Sequence, residues 1–282
     1  MKKTIISCIF ALLTFLVVNA QDALVSKKGI PILPTGGDIA IGIDAIPFFK
    51  YIGNLHNAAE NNTVPSFSFK ENMNIYGKYF LDDKTAIRLT VNLSFRDREN
   101  GAFVLKDGQS PTVDSTVYVE DIENIKTTLI NIGGGLEKRR GYGRLQGFYG
   151  AELSFIYGSG NSKYTYGNGF SASNMNPTSH DFGTNLTTPG VRVKSTNDGN
   201  TIGGGLRGFI GAEFFFAPKI SIGGEFNWGV KYTKTGEGYS ITQNWDAPSG
   251  SINEEKIKVD GGSDFNLSTG NLGGALYLMF HF

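Results

Sequence analysis

The chain is dominated by segments in which apolar and polar side chains alternate. Between Thr85 and Arg96 every second residue is apolar, and the residues between them are small or polar and include two arginines. Successive side chains of a β-strand point to opposite faces, so this pattern predicts a strand with one apolar and one polar face. Seven further segments alternate in the same way. The eight predicted strands cover about 38–49, 67–81, 85–96, 124–138, 144–158, 201–216, 219–234 and 267–282.

The connections between these strands alternate in length. Three are short, at 82–84, 139–143 and 217–218, whereas four are long, at about 50–66, 97–123, 159–199 and 235–266. Neighbouring strands are antiparallel, so all the short turns fall at one end of the sheet and all the long loops at the other. An even strand number with this asymmetry is typical of outer-membrane barrels, and such long loops are uncommon in compact soluble domains. We therefore predict an all-β protein, an eight-stranded antiparallel transmembrane β-barrel with short periplasmic turns and long extracellular loops.

The N-terminus has the pattern of a secretory signal. Lys2 and Lys3 precede 14 mostly apolar residues, Ile5 to Val18, a run too short to span a membrane as a helix. We predict a signal peptide at 1–20 cleaved after Ala20, a periplasmic segment at 21–37 and the barrel at 38–282. An uncleaved membrane anchor is the alternative.

Composition narrows the function classes. Lys plus Arg and Asp plus Glu both number 26, so the chain has no net field that would attract a nucleic acid, and we expect no such partner. The only cysteine, Cys8, lies within the predicted signal. The mature protein then has no thiol for a disulfide, a metal site or a nucleophile.

Charged residues on the inward faces form the first candidate site. The interior of an eight-stranded barrel is just wide enough for side chains to fill, and buried charges are costly unless they pair. We therefore predict an ion-pair network that plugs the lumen, with a small gated pore as the alternative. Its predicted members are Asp44, Arg88, Glu152, Arg207, Glu213, Glu225 and Lys231, and Lys78 and Glu137 share the inward faces.

The sequence gives little support for a catalytic site or a metal site. His56, His180 and His281 are scattered, without the spacing of metal ligands. Ser179 and Asp181 flank His180, but adjacent residues in a loop do not form an oriented catalytic triad. We expect no metal, no cofactor and no enzymatic activity.

The end of the chain resembles a known family. The segment Gly273-Gly-Ala-Leu-Tyr-Leu-Met-Phe-His-Phe282, with the signal and the eight strands, resembles small outer-membrane β-barrel proteins such as the membrane domain of outer membrane protein A. Gln21 directly after the predicted cleavage site, with Gly- and Asn-rich loops, is similar to barrels of Bacteroidota. The resemblance implies a bacterial outer-membrane location and contact with outer-membrane lipid. It also implies that Leu278, Phe280 and Phe282 form the assembly signal read by the barrel-assembly machinery.

These observations favour a non-enzymatic outer-membrane barrel that displays surface loops for ligand or host contact or for envelope integrity. The surface ligand would bind through loops 97–123, 159–199 and 235–266, which are rich in polar residues and tyrosine. A narrow porin-like channel, a lipid-modifying barrel enzyme and a soluble ligand-binding barrel are the alternatives.

Overall fold

The computed structural model describes residues 24–45, 74–108, 117–184, 188–268 and 275–282. Their regular elements are eleven antiparallel strands, which confirms the predicted all-β antiparallel fold. None of the described segments forms a helix long and apolar enough to cross a membrane. The strands are β1 (Ile39–Asp44), β2 (Asn74–Asp82), β3 (Thr85–Leu105), β4 (Tyr118–Tyr142), β5 (Leu145–Thr165), β6 (Val191–Ala217), β7 (Ile220–Thr235), β8 (Gly238–Asp246), β9 (Ser251–Val259), β10 (Gly262–Ser268) and β11 (Ala275–His281).

Eight of these strands close into a ring. Each of β1 to β6 pairs with the strand that follows it, β7 pairs with β11, and β11 pairs with β1, so that Ala40 lies opposite His281. Closure leaves no free sheet edge at this level of the molecule, because every strand has two neighbours. The ring is therefore an antiparallel barrel.

The two faces of the barrel wall differ as the alternation predicts. On β3, Ile87 and Leu89 are exposed on the outside, whereas Arg88, Thr90 and Asn92 are buried inside. Other strands present the same outward apolar side chains. These include Ile41, Leu136, Leu153, Phe155, Leu206, Ile210 and Phe226.

Three of the four predicted long loops contain ordered strands in their described residues, which the sequence prediction missed. β3 and β4 continue their pairing to Leu105 and Tyr118, far into predicted loop 97–123, and β5 and β6 extend into predicted loop 159–199. Predicted loop 235–266 contains the β8–β9 hairpin and most of β10. β10 and β11 both pair with β7, so two strands take the place of the single predicted strand 267–282. Beyond Phe95 polar side chains lie on both faces of β3, and the exposed apolar residues Phe103 and Leu105 return only near its end. The regular alternation is therefore lost although the strand continues. Predicted loop 50–66 lies outside the described residues.

β6 changes partners along its length. Thr201 to Ala217 pair with β7, whereas Val191 to Asn197 pair with β8, whose other neighbour is β9. A sheet of β3, β4, β5, β6, β8 and β9 therefore projects beyond the barrel at the long-loop end. We call it the outer sheet.

The opposite end is crossed by the segment 24–38, which belongs mostly to the predicted periplasmic segment. Ile32 is 1% exposed, and its carbonyl accepts a hydrogen bond from the backbone N–H of Lys219 in the β6–β7 turn. Gly37 donates a backbone hydrogen bond to Phe80. The segment thus packs against the short-turn end, and the predicted signal peptide at 1–20 lies outside the described residues.

Candidate functional site

The barrel interior holds a network of ion pairs. Arg88 on β3 donates two hydrogen bonds to the carboxylate of Glu225 on β7, at 2.6 Å from Nη1 and 2.9 Å from Nη2. The Nε of Arg88 lies 3.5 Å from Glu152 on β5. Bidentate pairing of this kind is the strongest geometry available to an arginine and a carboxylate.

A second part of the network lies nearer the short-turn end. Lys78 donates to Glu137 at 2.9 Å and to Glu213 at 3.4 Å, and Arg139 donates to Glu213 at 2.6 Å. Glu137 also lies within ion-pairing distance of Arg88, so it links the two parts.

The long-loop side of the network is closed by Glu152. Its carboxylate accepts hydrogen bonds from Thr90 at 3.0 Å and from Arg207 at 3.0 Å. The Arg207 side chain is 27% exposed, whereas Glu152 is 2% exposed. Arg207 thus forms the boundary between the buried network and the mouth of the barrel.

Aromatic rings separate and cover the charges. Lys78 Nζ lies 4.7 Å from the centroid of Phe148, and the Arg88 guanidinium lies 4.4 Å from that of Phe209. Arg139 lies between Phe80 and Phe215. Cations over ring faces gain electrostatic stabilisation that increases when water is excluded.

The network is balanced in charge and excludes solvent. Four cations, Lys78, Arg88, Arg139 and Arg207, face the four carboxylates of Glu137, Glu152, Glu213 and Glu225, and all but Arg207 have side chains 2% exposed or less. Isolated buried charges would be costly, but here each faces an opposite charge. Because all of these side chains except Arg207 are inaccessible to solvent, they fill the barrel cross-section.

The structure brings together five of the seven predicted lumen residues: Arg88, Glu152, Arg207, Glu213 and Glu225. Asp44 lies half-buried on the inner side of β1, opposite Tyr277.

Lys231 was wrongly placed in the plug. It is exposed and lines a mouth pocket of about 310 Å³ beside Arg207. Lys231 lies on the inward face of β7, as predicted, but beyond the ion-pair network toward the long-loop end. The error arose because alternation shows which face a residue is on and not how deep it lies in the lumen.

Arg139 was missed in the sequence because it stands in the run Arg139-Arg140-Gly141, which has the composition of a turn. The structure continues β4 to Tyr142, so Arg139 points inward as Glu137 does. Extending the predicted strand, 124–138, by one residue would have included it.

A serine, a histidine and a glutamate meet at the short-turn end of the lumen. Ser221 Oγ lies 3.1 Å from His281 Nε2, which lies 3.2 Å from Glu213, and Ser221 donates to the same carboxylate. In a catalytic triad the acid would orient the histidine through the other ring nitrogen. Here serine and acid share Nε2, and all three residues are buried. The arrangement is that of a packed polar cluster.

The predicted assembly residues lie along the outside of β11. Phe280 and Phe282 are exposed, Leu278 is half-buried, and the alternating Tyr277, Met279 and His281 are buried in the lumen. The three residues therefore share one apolar outer face.

The segment between β5 and β6 folds against the outer sheet. The carboxylate of Asp121 on β4 accepts backbone hydrogen bonds from Gly167 at 2.8 Å and from His180 at 2.7 Å. Asp107 accepts from the Thr178 backbone and from the Asn174 side chain, both at 2.8 Å. These two carboxylates therefore bind the segment at four positions between Gly167 and His180.

The charge of Asp107 is favoured by these contacts. Burial alone would raise the pKa of Asp107, but the hydrogen bonds from Thr178 and Asn174 outweigh it and lower the pKa below 3.8. The ionised carboxylate is therefore the form that binds the segment.

Aromatic residues of the same segment pack against side chains and backbone of β5 and β6. The Arg192 guanidinium lies 4.2 Å from the centroid of Tyr166 and 4.4 Å from that of Phe170, and the Tyr166 hydroxyl donates to the Val193 carbonyl at 2.6 Å. Tyr164 is buried and packs on Phe182. These contacts join the segment to β5 and β6. No group of three or more His, Cys, Asp or Glu in the described ranges is arranged to hold a metal ion.

Comparison with known proteins gives a likeness among solved structures. No family model and no curated protein sequence matches the chain. Among solved structures, the outer membrane protein OprG from Pseudomonas aeruginosa aligns with a TM-score of 0.30 and 10% identity, covering 89% of this chain and 98% of that one. The barrel fold described above rests on its own strand pairings.

Proposed function

We propose that the protein is a non-enzymatic outer-membrane β-barrel that holds a rigid outer sheet at the cell surface for contact with a ligand or a host surface. The observation that carries this proposal is the inverted arrangement of the barrel, with apolar side chains outside and a neutralised ionic network inside. A water-soluble barrel would place its apolar side chains in the core.

The height of the apolar face supports a membrane location. On β3 it extends from Ile87 to Phe95, nine residues, close to the 9–11 that a tilted strand needs to cross a bilayer. Aromatic side chains at both ends are exposed, as in the girdles of membrane barrels. They are Tyr79, Tyr142, Phe214 and Phe216 at the short-turn end, and Phe95, Trp228 and Tyr232 at the other.

The interior supports a display role over transport. The balanced plug leaves no charged passage of one sign, and the buried Ser221–His281–Glu213 cluster gives no support to an enzyme. What the fold does present to the outside is the outer sheet, stiffened by Asp107 and Asp121. A contact surface on this sheet would lose little conformational entropy when a partner binds, because its loops are already held in place.

Fractionation and conductance test the proposal. The protein should be recovered with outer membranes, should require detergent, and should migrate differently on a gel before and after boiling. Planar bilayers containing it should show no stable channel currents. Recovery in the soluble fraction would contradict the membrane location, and stable porin-like currents would contradict the plug.

A further inference from the structure

The outer sheet carries a groove on its outward face. This is the face that carries the apolar side chains from Ile87 to Phe95 on β3, which we call the apolar belt. The groove is about 480 Å³ in volume, and its lining includes Asp97, Lys126, Asn161, Lys163, Lys194 and Tyr239. On β3, Asp97 shares the outward face of Ile87 and Phe95, because the pairing of β3 with β4 has no register shift between them. Lys126 lies directly opposite Asp97 and is 69% exposed.

The height of the groove above the belt is fixed by the strand register. Phe95, the last exposed aromatic residue on the outer face of the belt on β3, pairs with Thr128, and Asp97 pairs with Lys126 two residues farther along. At about 3.3 Å per residue, the groove begins about 7 Å beyond the aromatic girdle along the strand. This is the depth at which lipid headgroups lie.

The chemistry of the groove suits a phosphorylated headgroup. Lys126, Lys163 and Lys194 line it, and Lys256 lies 3.9 Å from the centroid of Tyr239. Against these four ammonium groups stand the carboxylates of Asp97 and Glu254, which pair with Lys126 and Lys194. Counted with Glu99, which lies opposite the lining residue Asn124 on the same face, the balance is 4 − 3 = +1. Both ion pairs are well exposed, and such pairs contribute little, so a phosphate can replace the carboxylates.

The remaining lining favours a sugar beside the phosphate. Asn124, Asn161, Ser195 and Thr196 offer amide and hydroxyl groups, and Tyr239 offers a ring. We propose that this groove binds the phosphorylated sugar headgroup of a glycolipid in the outer leaflet. The inference rests on the proposed membrane location, because the acyl chains would then lie against the outward apolar side chains below the groove.

Binding of a defined glycolipid tests this inference. The full chain, folded in a neutral detergent, is titrated with bisphosphorylated lipid A and separately with the same lipid after removal of its phosphates. The wild-type protein should prefer the phosphorylated lipid. Replacing Lys126, Lys163 and Lys194 by Gln should weaken its binding by roughly 100-fold and abolish the preference. Equal binding of the two lipids by the wild type would overturn the proposal.

A matched control separates the groove from general charge. Lys27→Gln, Lys28→Gln and Lys106→Gln remove the same charge at exposed positions elsewhere, and this triple variant should keep the preference. An equal loss in both triple variants would contradict a specific site, and full competition by inorganic phosphate at the lipid's own concentration would contradict a lipid ligand. Gel mobility before and after boiling reports barrel folding for every variant. A folded, membrane-inserted barrel without the preference refutes the groove alone.

Discussion

Arg88 and Glu225 join opposite walls of the barrel. β3 and β7 are four strands apart in either direction around the eight-stranded ring, and the guanidinium of one meets the carboxylate of the other at 2.6 and 2.9 Å. The pair therefore crosses the full width of the lumen.

Removing one partner of this pair should be costly. Arg88→Met leaves Glu225 buried and unpaired, and we expect a loss of about 3–5 kcal/mol in the free energy of unfolding. The double variant Arg88→Met/Glu225→Met should recover much of that loss, since it removes the uncompensated charge. Denaturant unfolding in lipid vesicles measures both. A double variant no more stable than the single would contradict an ion pair at this position.

On the outward face of β3, the stability cost of a charged substitution should depend on how far the residue lies from the middle of the apolar belt. Val91 lies between Ile75 and Ile132 on the neighbouring strands, at the middle of the apolar face. Val91→Arg should cost roughly 2–4 kcal/mol in vesicles, because the guanidinium enters hydrocarbon. Glu99→Arg is the control, since it places the same group on the same face above the belt. Equal effects of the two substitutions would show that Val91 does not face lipid.

The triple-glycine segment of β4 allows packing in the barrel wall to be tested by comparing two adjacent positions, Gly134 and Gly135. A Cβ at Gly135 would overlap the Ala151 carbonyl and approach Glu152 Cα to 2.8 Å, whereas a Cβ at Gly134 would meet nothing within 4 Å. Gly135→Ala should therefore destabilise the barrel by about 1–3 kcal/mol, and Gly134→Ala should be nearly neutral. Unfolding of the two variants in parallel measures the difference, and similar stabilities would argue against tight packing at Gly135.

Acid should loosen the segment between β5 and β6. Since folding lowers the pKa of Asp107, its contribution to stability is complete above the ordinary value of 3.8 and is lost as the pH falls through the lowered value. Limited proteolysis between 166 and 184 should therefore accelerate at low pH in the wild type. Asp107→Asn should be cleaved faster at neutral pH and respond less to acid. An unchanged cleavage rate in Asp107→Asn would show that this carboxylate does not hold the segment.

The faces of the barrel wall were predictable because the outer surface and the lumen carry opposite kinds of side chain on alternate residues. Ile87 and Arg88 illustrate this: exchanging them would put a charge on the apolar outer face and remove a cation from the buried network. Depth was not predictable, because alternation repeats identically at every height. Lys231 therefore seemed equivalent to Glu225, although it lies three pleats higher on β7.

The outer sheet was not predictable for a related reason. β9 is exposed at all nine of its residues, so neither face selects apolar side chains and the strand looks like a polar loop. Its pairing with β8 depends on backbone hydrogen bonds, which leave no pattern in the side chains. The internal role of Tyr164 and Arg192 was hidden for the same reason, since it depends on how the segment folds back.

Closure of the ring by β1 and β11 has a consequence for the order of folding. The strands that seal the barrel lie at opposite ends of the described chain, with Ala40 opposite His281. Bringing such distant residues together carries a large loop-closure entropy before any contact repays it. The other seven contacts around the ring join segments closer in sequence. Formation of the β1–β11 seam should therefore be the slow step, and until it forms both edge strands remain open to pairing with other chains.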